Sequence, residues 1–133
     1  MVTEGYTRGA DAPGFKPWIP VALWTGVIAI ASCLPAGSLE WFEPSGPDRL
    51  LHAVFYAPLA ALTARAIAAC GHAEDAVAAG TLVATLAFGA FMEWAQGFVE
   101  RRPDVMDLVA DAAGVLVALT LRAAWLKLRE RPR

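Results

Sequence analysis

Four long apolar blocks constrain this chain more than any other feature. Pro17 to Leu39 carries no charge, and neither does Ala76 to Met92. Leu50 to Cys70 holds one arginine, Arg65, and one histidine, His52. Val105 to Leu126 is charged only at Asp107, Asp111 and Arg122. Crossing a bilayer core takes about 20 residues of helix. The blocks are too long for strands and do not alternate. We therefore read an all-α polytopic membrane protein with four transmembrane helices, roughly 17–35, 49–70, 75–99 and 104–126. Short connections make this an up-down bundle. The domain plan is a segment 1–16, a transmembrane domain 17–126 and a basic tail 127–133. Composition agrees, with 57% hydrophobic and only 18% charged residues in 133. A soluble domain that small needs a polar exterior, and a disordered chain needs charge.

Lys16 before an apolar run, and Ile30-Ala31-Ser32-Cys33 at its end, have the look of a cleavable leader. Three further spans favour a retained helix. Cys33 and Cys70 are expected on opposite sides of the membrane, too far apart for a disulfide. No zinc-type Cys/His spacing occurs, and no cofactor or resident metal is expected.

Lys and Arg near the helix ends set orientation. One side carries Arg8, Lys16, Arg65, Arg122, Lys127, Arg129, Arg131 and Arg133, the other Arg49, Arg101 and Arg102. Both termini are thus expected in the cytoplasm, within a bacterial inner membrane. Trp18 and Trp125 then lie near the inner interface, Trp41 and Trp94 near the outer one. The basic tail reads as an anchor for anionic lipid, not as a nucleic-acid surface. Ala60/Ala64/Ala68, Ala110/Gly114/Ala118 and Gly80/Ala84 recur every four residues, as close helix packing in lipid requires.

The remaining ionisable residues gather in one external layer. Asp48, Arg49, His52 and Tyr56 begin the second helix; Glu93 and Gln96 end the third; Arg101 and Arg102 follow; Asp104, Asp107 and Asp111 open the fourth. Arg65 and Arg122 are the exceptions, placed to snorkel to the inner surface. The spacings i, i+4, i+8 for Asp48, His52 and Tyr56, and i, i+3, i+7 for Asp104, Asp107 and Asp111, put each set on one face. Asp104 and Asp107 have a local role as cap and first-turn acid. Asp111 and Glu93 lack that role and need partners among Arg49, His52, Arg101 and Arg102. The cluster is read as a ligand-binding site or a charge lock between helices.

Asp48-Arg49-x-x-His52-x-x-x-Tyr56 resembles the D-K-x-x-H-F-x-x-Y element of VanZ-like membrane proteins. Glu93-x-x-Gln96, then Arg101-x-x-Asp104-x-x-Asp107-x-x-x-Asp111-x-x-Gly114, resembles that family's second element, E-x-x-Q…R-x-x-D-x-x-D-x-x-x-N-x-x-G. Ser32-x-x-Pro35 is similar to the end of its first helix. The similarity runs from about residue 17 to 120. Arg49 stands where the family has Lys, and Asp111 where it has Asn. The resemblance implies a four-helix membrane fold. It also implies a link to glycopeptide resistance, since the family is named for a protein conferring low-level teicoplanin resistance; the family has no settled biochemical activity.

Three functional classes follow. In the first, Arg49, His52, Arg101 and Arg102 hold an anionic lipid or a lipid-linked cell-envelope intermediate. In the second, an intramembrane enzyme acts on a lipid phosphate or glycolipid, with His52 as acid or base and Glu93, Asp107 and Asp111 holding a divalent metal. In the third, the chain is a small subunit of a larger membrane complex. A transmembrane ion pathway needs polar groups through the whole thickness, and the inner half of this bundle lacks them.

Overall fold

The computed structural model describes residues 14–33, 48–98 and 104–130, with Asp48 described by its backbone alone. Among them are a 3-10 turn, Lys16–Trp18, and four helices: α1 (Ile19–Cys33), α2 (Asp48–Ala69), α3 (Glu74–Gln96) and α4 (Val105–Arg129). Each is long and apolar enough to cross a membrane, α1 when the turn at Lys16 is included. The all-α, four-span architecture read from the apolar blocks is the one observed, and the chain is a multi-pass membrane protein.

The helix ends follow local chemistry. Pro17 enters the turn ahead of α1, where a missing N–H costs nothing. Glu74 and Asp75 lie in the first turn of α3, and Lys127 and Arg129 in the last turn of α4, each matching the helix dipole. Asp104 caps α4 by accepting from the Met106 N–H at 2.9 Å. Two expected bounds shift. α3 ends at Gln96, with Gly97 and Phe98 in a turn, and α4 runs on through the start of the basic tail. There the Arg129 guanidinium sits 3.9 Å above the Trp125 ring, adding a cation–π contact that extends the helix.

Contacts between ends fix the directions. Arg49 meets Asp104 and His52 meets Asp111, so α2 and α4 run parallel. Glu93 meets Asp104 at one end of α3 and Glu74 meets Arg122 at the other, so α3 runs antiparallel to α4. Arg122 therefore does more than reach the surface. It forms a two-pronged bond to Glu74, at 2.7 and 3.1 Å, because the first turn of α3 lies level with it.

α2 packs most extensively on α4. The cause is Gly114: a Cβ built there falls on the backbone of Ala53, within 2.9 Å of its carbonyl carbon and Cα. Ala60, Ala64 and Ala118 are buried along the same contact. The Gly80/Ala84 pair contributes less, because Ala84 is exposed. α1 is peripheral, burying only Ile28. It is tied on by Trp24, which donates from Nε1 to the Phe55 carbonyl at 2.9 Å and stacks on the Phe55 ring.

The pattern of burial inverts that of a water-soluble bundle. Leu23, Ile30, Val83 and Leu121 are each about two-thirds exposed. Thr63, Thr81, Thr85, Glu93, Gln96, Asp107 and Asp111 are buried. Lipid solvates leucine as well as a protein core does but cannot solvate a carboxylate, so polar groups turn inward.

Candidate functional site

The polar face of α2 supplies Arg49, His52 and Tyr56, each one turn beyond the last. Their rings and charges descend from the rim into the bundle. The Arg49 side chain is 58% exposed, whereas His52 is 16% exposed and Tyr56 is buried. The His52 ring stacks on Tyr56 with centroids 6.4 Å apart, and Tyr56 leans on Phe88 of α3 at 6.2 Å. The aromatic pair closes the floor of the site with apolar surface.

α4 faces this ladder with Asp104, Asp107 and Asp111. Arg49 donates to Asp104 over a long 3.4 Å. The Met106 N–H, and then Arg49, hold the Asp104 carboxyl below its ordinary range, since both favour the charged form. One turn deeper, His52 Nε2 lies 3.6 Å from Asp107 Oδ2. Deeper still, His52 Nδ1–H donates to Asp111 Oδ1 at 2.9 Å. Asp111 is 1% exposed, and its second oxygen has no hydrogen-bond partner among the described residues.

α3 closes the site with Glu93 and Gln96, both buried. Glu93 Oε2 accepts from the backbone N–H of Asp104 at 2.9 Å. The sequence suggests an arginine or His52 as the Glu93 partner; the bond observed here is to a backbone donor at the start of α4. That donor is one of the orphan N–H groups at a helix N-terminus, and a carboxylate is its natural acceptor.

The structure thus joins Arg49, His52, Tyr56, Glu93, Asp104, Asp107 and Asp111, and places Gln96 at the same end. The Asp48 side chain, Arg101 and Arg102 lie outside the described residues. Gly89 is a member the sequence does not reveal. A Cβ there comes within 2.7 Å of Asp111 Oδ2 and 3.3 Å of Tyr56 Cε1, so a larger residue has to displace the buried carboxylate. Its signal in the sequence is a glycine one turn before Glu93, visible only once α3 is known to face Asp111.

The metal-type donors also regroup. The sequence suggests Glu93, Asp107 and Asp111 as an oxygen set. In the structure His52, Glu93 and Asp107 each offer one ligand atom within 4.8 Å of the other two, while Asp111 is bound to the histidine.

The aromatic group Phe91, Trp94 and Phe98 flanks this end of α3 on the outside. All three rings are exposed, as expected for anchors at a membrane interface. No protein-family model matches this chain, and no curated protein or solved structure matches it.

Proposed function

We propose that this chain is a VanZ-like protein of the bacterial cytoplasmic membrane that binds an anionic lipid headgroup, or a lipid-linked cell-envelope intermediate, at its external face. Both termini lie in the cytoplasm in this reading, as the distribution of Lys and Arg demands. The observation that carries the reading is the convergence of Arg49, His52, Glu93, Asp104 and Asp107 at one end of α2, α3 and α4. A lock between helices is best sealed, because a dry, fully paired cluster is the stable one. Here the Arg49 and Asp104 side chains are 58% and 47% exposed, which leaves the rim of the cluster accessible from the headgroup layer. A guanidinium at that depth suits a phosphate oxygen pair. The family name and its link to glycopeptide resistance rest on the motif resemblance alone.

Native mass spectrometry of the detergent-extracted chain beside Arg49→Ala tests this. A retained anionic species that disappears in the variant, with thermal stability preserved, supports the reading. No retained species in either protein contradicts it.

A second reading is favoured by one bond. His52, oriented by Asp111 at 2.9 Å, has the arrangement of an acid–base group positioned by a carboxylate. In that reading the chain is an intramembrane enzyme acting on a lipid phosphate or glycolipid. Turnover of such a substrate by the purified chain, lost in His52→Gln, separates it from simple binding.

A further inference from the structure

We propose that His52, Glu93 and Asp107 bind a divalent cation of the Mn2+ or Zn2+ class, with Asp111 as the buried carboxylate that orients the histidine. Each of the three brings a ligand-type atom within 4.8 Å of the other two, from three different helices. His52 Nε2 and Asp107 Oδ2 stand 3.6 Å apart. That is long for a hydrogen bond. Two ligands about 2.1 Å from one ion at the tetrahedral angle lie roughly 3.4 Å apart.

The surrounding groups point the same way. Metal-bound histidines donate their other ring N–H to a carboxylate or carbonyl, which fixes tautomer and ring plane. His52 Nδ1 does this toward Asp111 Oδ1 at 2.9 Å, which directs Nε2 to the Asp107 side. Glu93 is oriented in turn by the Asp104 N–H on Oε2. Gly89 preserves the space that the Asp111 carboxylate fills.

Charge supplies the second, independent argument. Glu93, Asp107 and Asp111 are all at least nine-tenths buried, and Asp111 Oδ2 has no hydrogen-bond partner among the described residues. Arg49 is bonded to Asp104 at the rim. Asp111, buried with one carboxylate oxygen unpartnered among the described residues, is stabilised by nearby positive charge in a low-dielectric setting. A divalent ion at the His52 Nε2 side supplies it, and polarises the imidazole so that its Nδ1–H bond to Asp111 strengthens. One nitrogen and two carboxylate oxygens suit Mn2+ and Zn2+ better than Mg2+, which prefers oxygen throughout. The site stands on these side chains and not on the lipid reading, and it is measured without lipid.

The test uses the full chain in detergent, stripped with EDTA and titrated with Mn2+ under electron paramagnetic resonance, then with Zn2+ by calorimetry. One ion per chain is expected, with nitrogen-14 coupling from an imidazole. His52→Gln abolishes that coupling, while His72→Gln, at the far end of the bundle, leaves it intact. Asp111→Asn weakens binding about 10- to 100-fold, the usual effect of losing a supporting carboxylate, and Glu93→Gln and Asp107→Asn, which remove ligands, weaken it at least as much. Circular dichroism checks that the variants keep their helices. Should one unfold, the nitrogen coupling of the unaltered chain still decides. No bound Mn2+ or Zn2+ at millimolar concentration, or a bound ion with no nitrogen coupling, overturns the proposal.

Discussion

His52 Nδ1 and Asp111 Oδ1 lie 2.9 Å apart and join α2 to α4 across 59 residues of sequence. Both groups are removed from water, so each is costly without the other. Asp111→Ala leaves the imidazole N–H unpaired and opens a gap, and is expected to lower stability by roughly 1–3 kcal/mol. Asp111→Asn keeps the shape and an acceptor oxygen and should cost less, within the ~0.6–1.7 kcal/mol measured for hydrogen bonds between membrane helices. Thermal unfolding in detergent orders the variants. Equal stability of Asp111→Ala and the unaltered chain contradicts a structural share for this bond.

Gly89 is the steric counterpart of that bond. A methyl group there meets Asp111 Oδ2 at 2.7 Å, closer than a Cβ tolerates. Gly89→Ala should therefore rotate the carboxylate off His52. The expected outcome is a shifted His52 imidazole resonance by NMR, with a stability loss of about 1–3 kcal/mol from overpacking. An unchanged resonance means that Gly89 does not govern the site.

Gly114 sets the depth of the whole arrangement by letting α4 rest on the α2 backbone at Ala53. Backbone cannot swing aside as a side chain can. Gly114→Ala should push α2 and α4 apart and cost more than Gly26→Ala, where a Cβ meets nothing within 4 Å. Unfolding midpoints of the two variants in one detergent check the ranking; an equal or smaller loss at Gly114 contradicts the close approach.

Much of this was legible in the residues, for identifiable reasons. Lipid imposes a length and an absence of charge, so the four spans stand out before any packing is known. Helical spacing put His52 with Tyr56, and Asp104 with Asp107 and Asp111, on single faces, and the shared depth of those faces implied that they meet. The sequence named His52 among the possible partners of Asp111, but which partner each acid takes was not legible. That Glu93 takes the backbone N–H of Asp104 depends on how α3 and α4 abut, and backbone donors leave no mark in a sequence. That Asp111 serves His52, and does not join Glu93 and Asp107, depends on a difference of one helical turn in depth. Gly89 carries no mark of its role in the sequence, because the role depends on a neighbour from another helix.

Orientation has a direct test. Phe98, 72% exposed, lies at the polar end of α3, and Cys70, which follows α2, lies at the other end. In a background without Cys33, an impermeant maleimide applied to intact cells should label Phe98→Cys and leave Cys70 untouched until the membrane is permeabilised. Labelling of Cys70 from outside places the polar cluster in the cytoplasmic leaflet.

In the proposed function, the rim of the α2–α3–α4 cluster receives an anionic headgroup. A ligand that binds the folded chain raises its stability by about 2.7 kcal/mol at 100 times its dissociation constant. The decisive measurement is the thermal midpoint of the purified chain in a zwitterionic detergent, titrated with phosphatidylglycerol, beside Arg49→Ala. A saturable rise is expected in the unaltered chain and is lost in the variant, with equal midpoints when no lipid is added. The same rise in both proteins, or none in either, contradicts it.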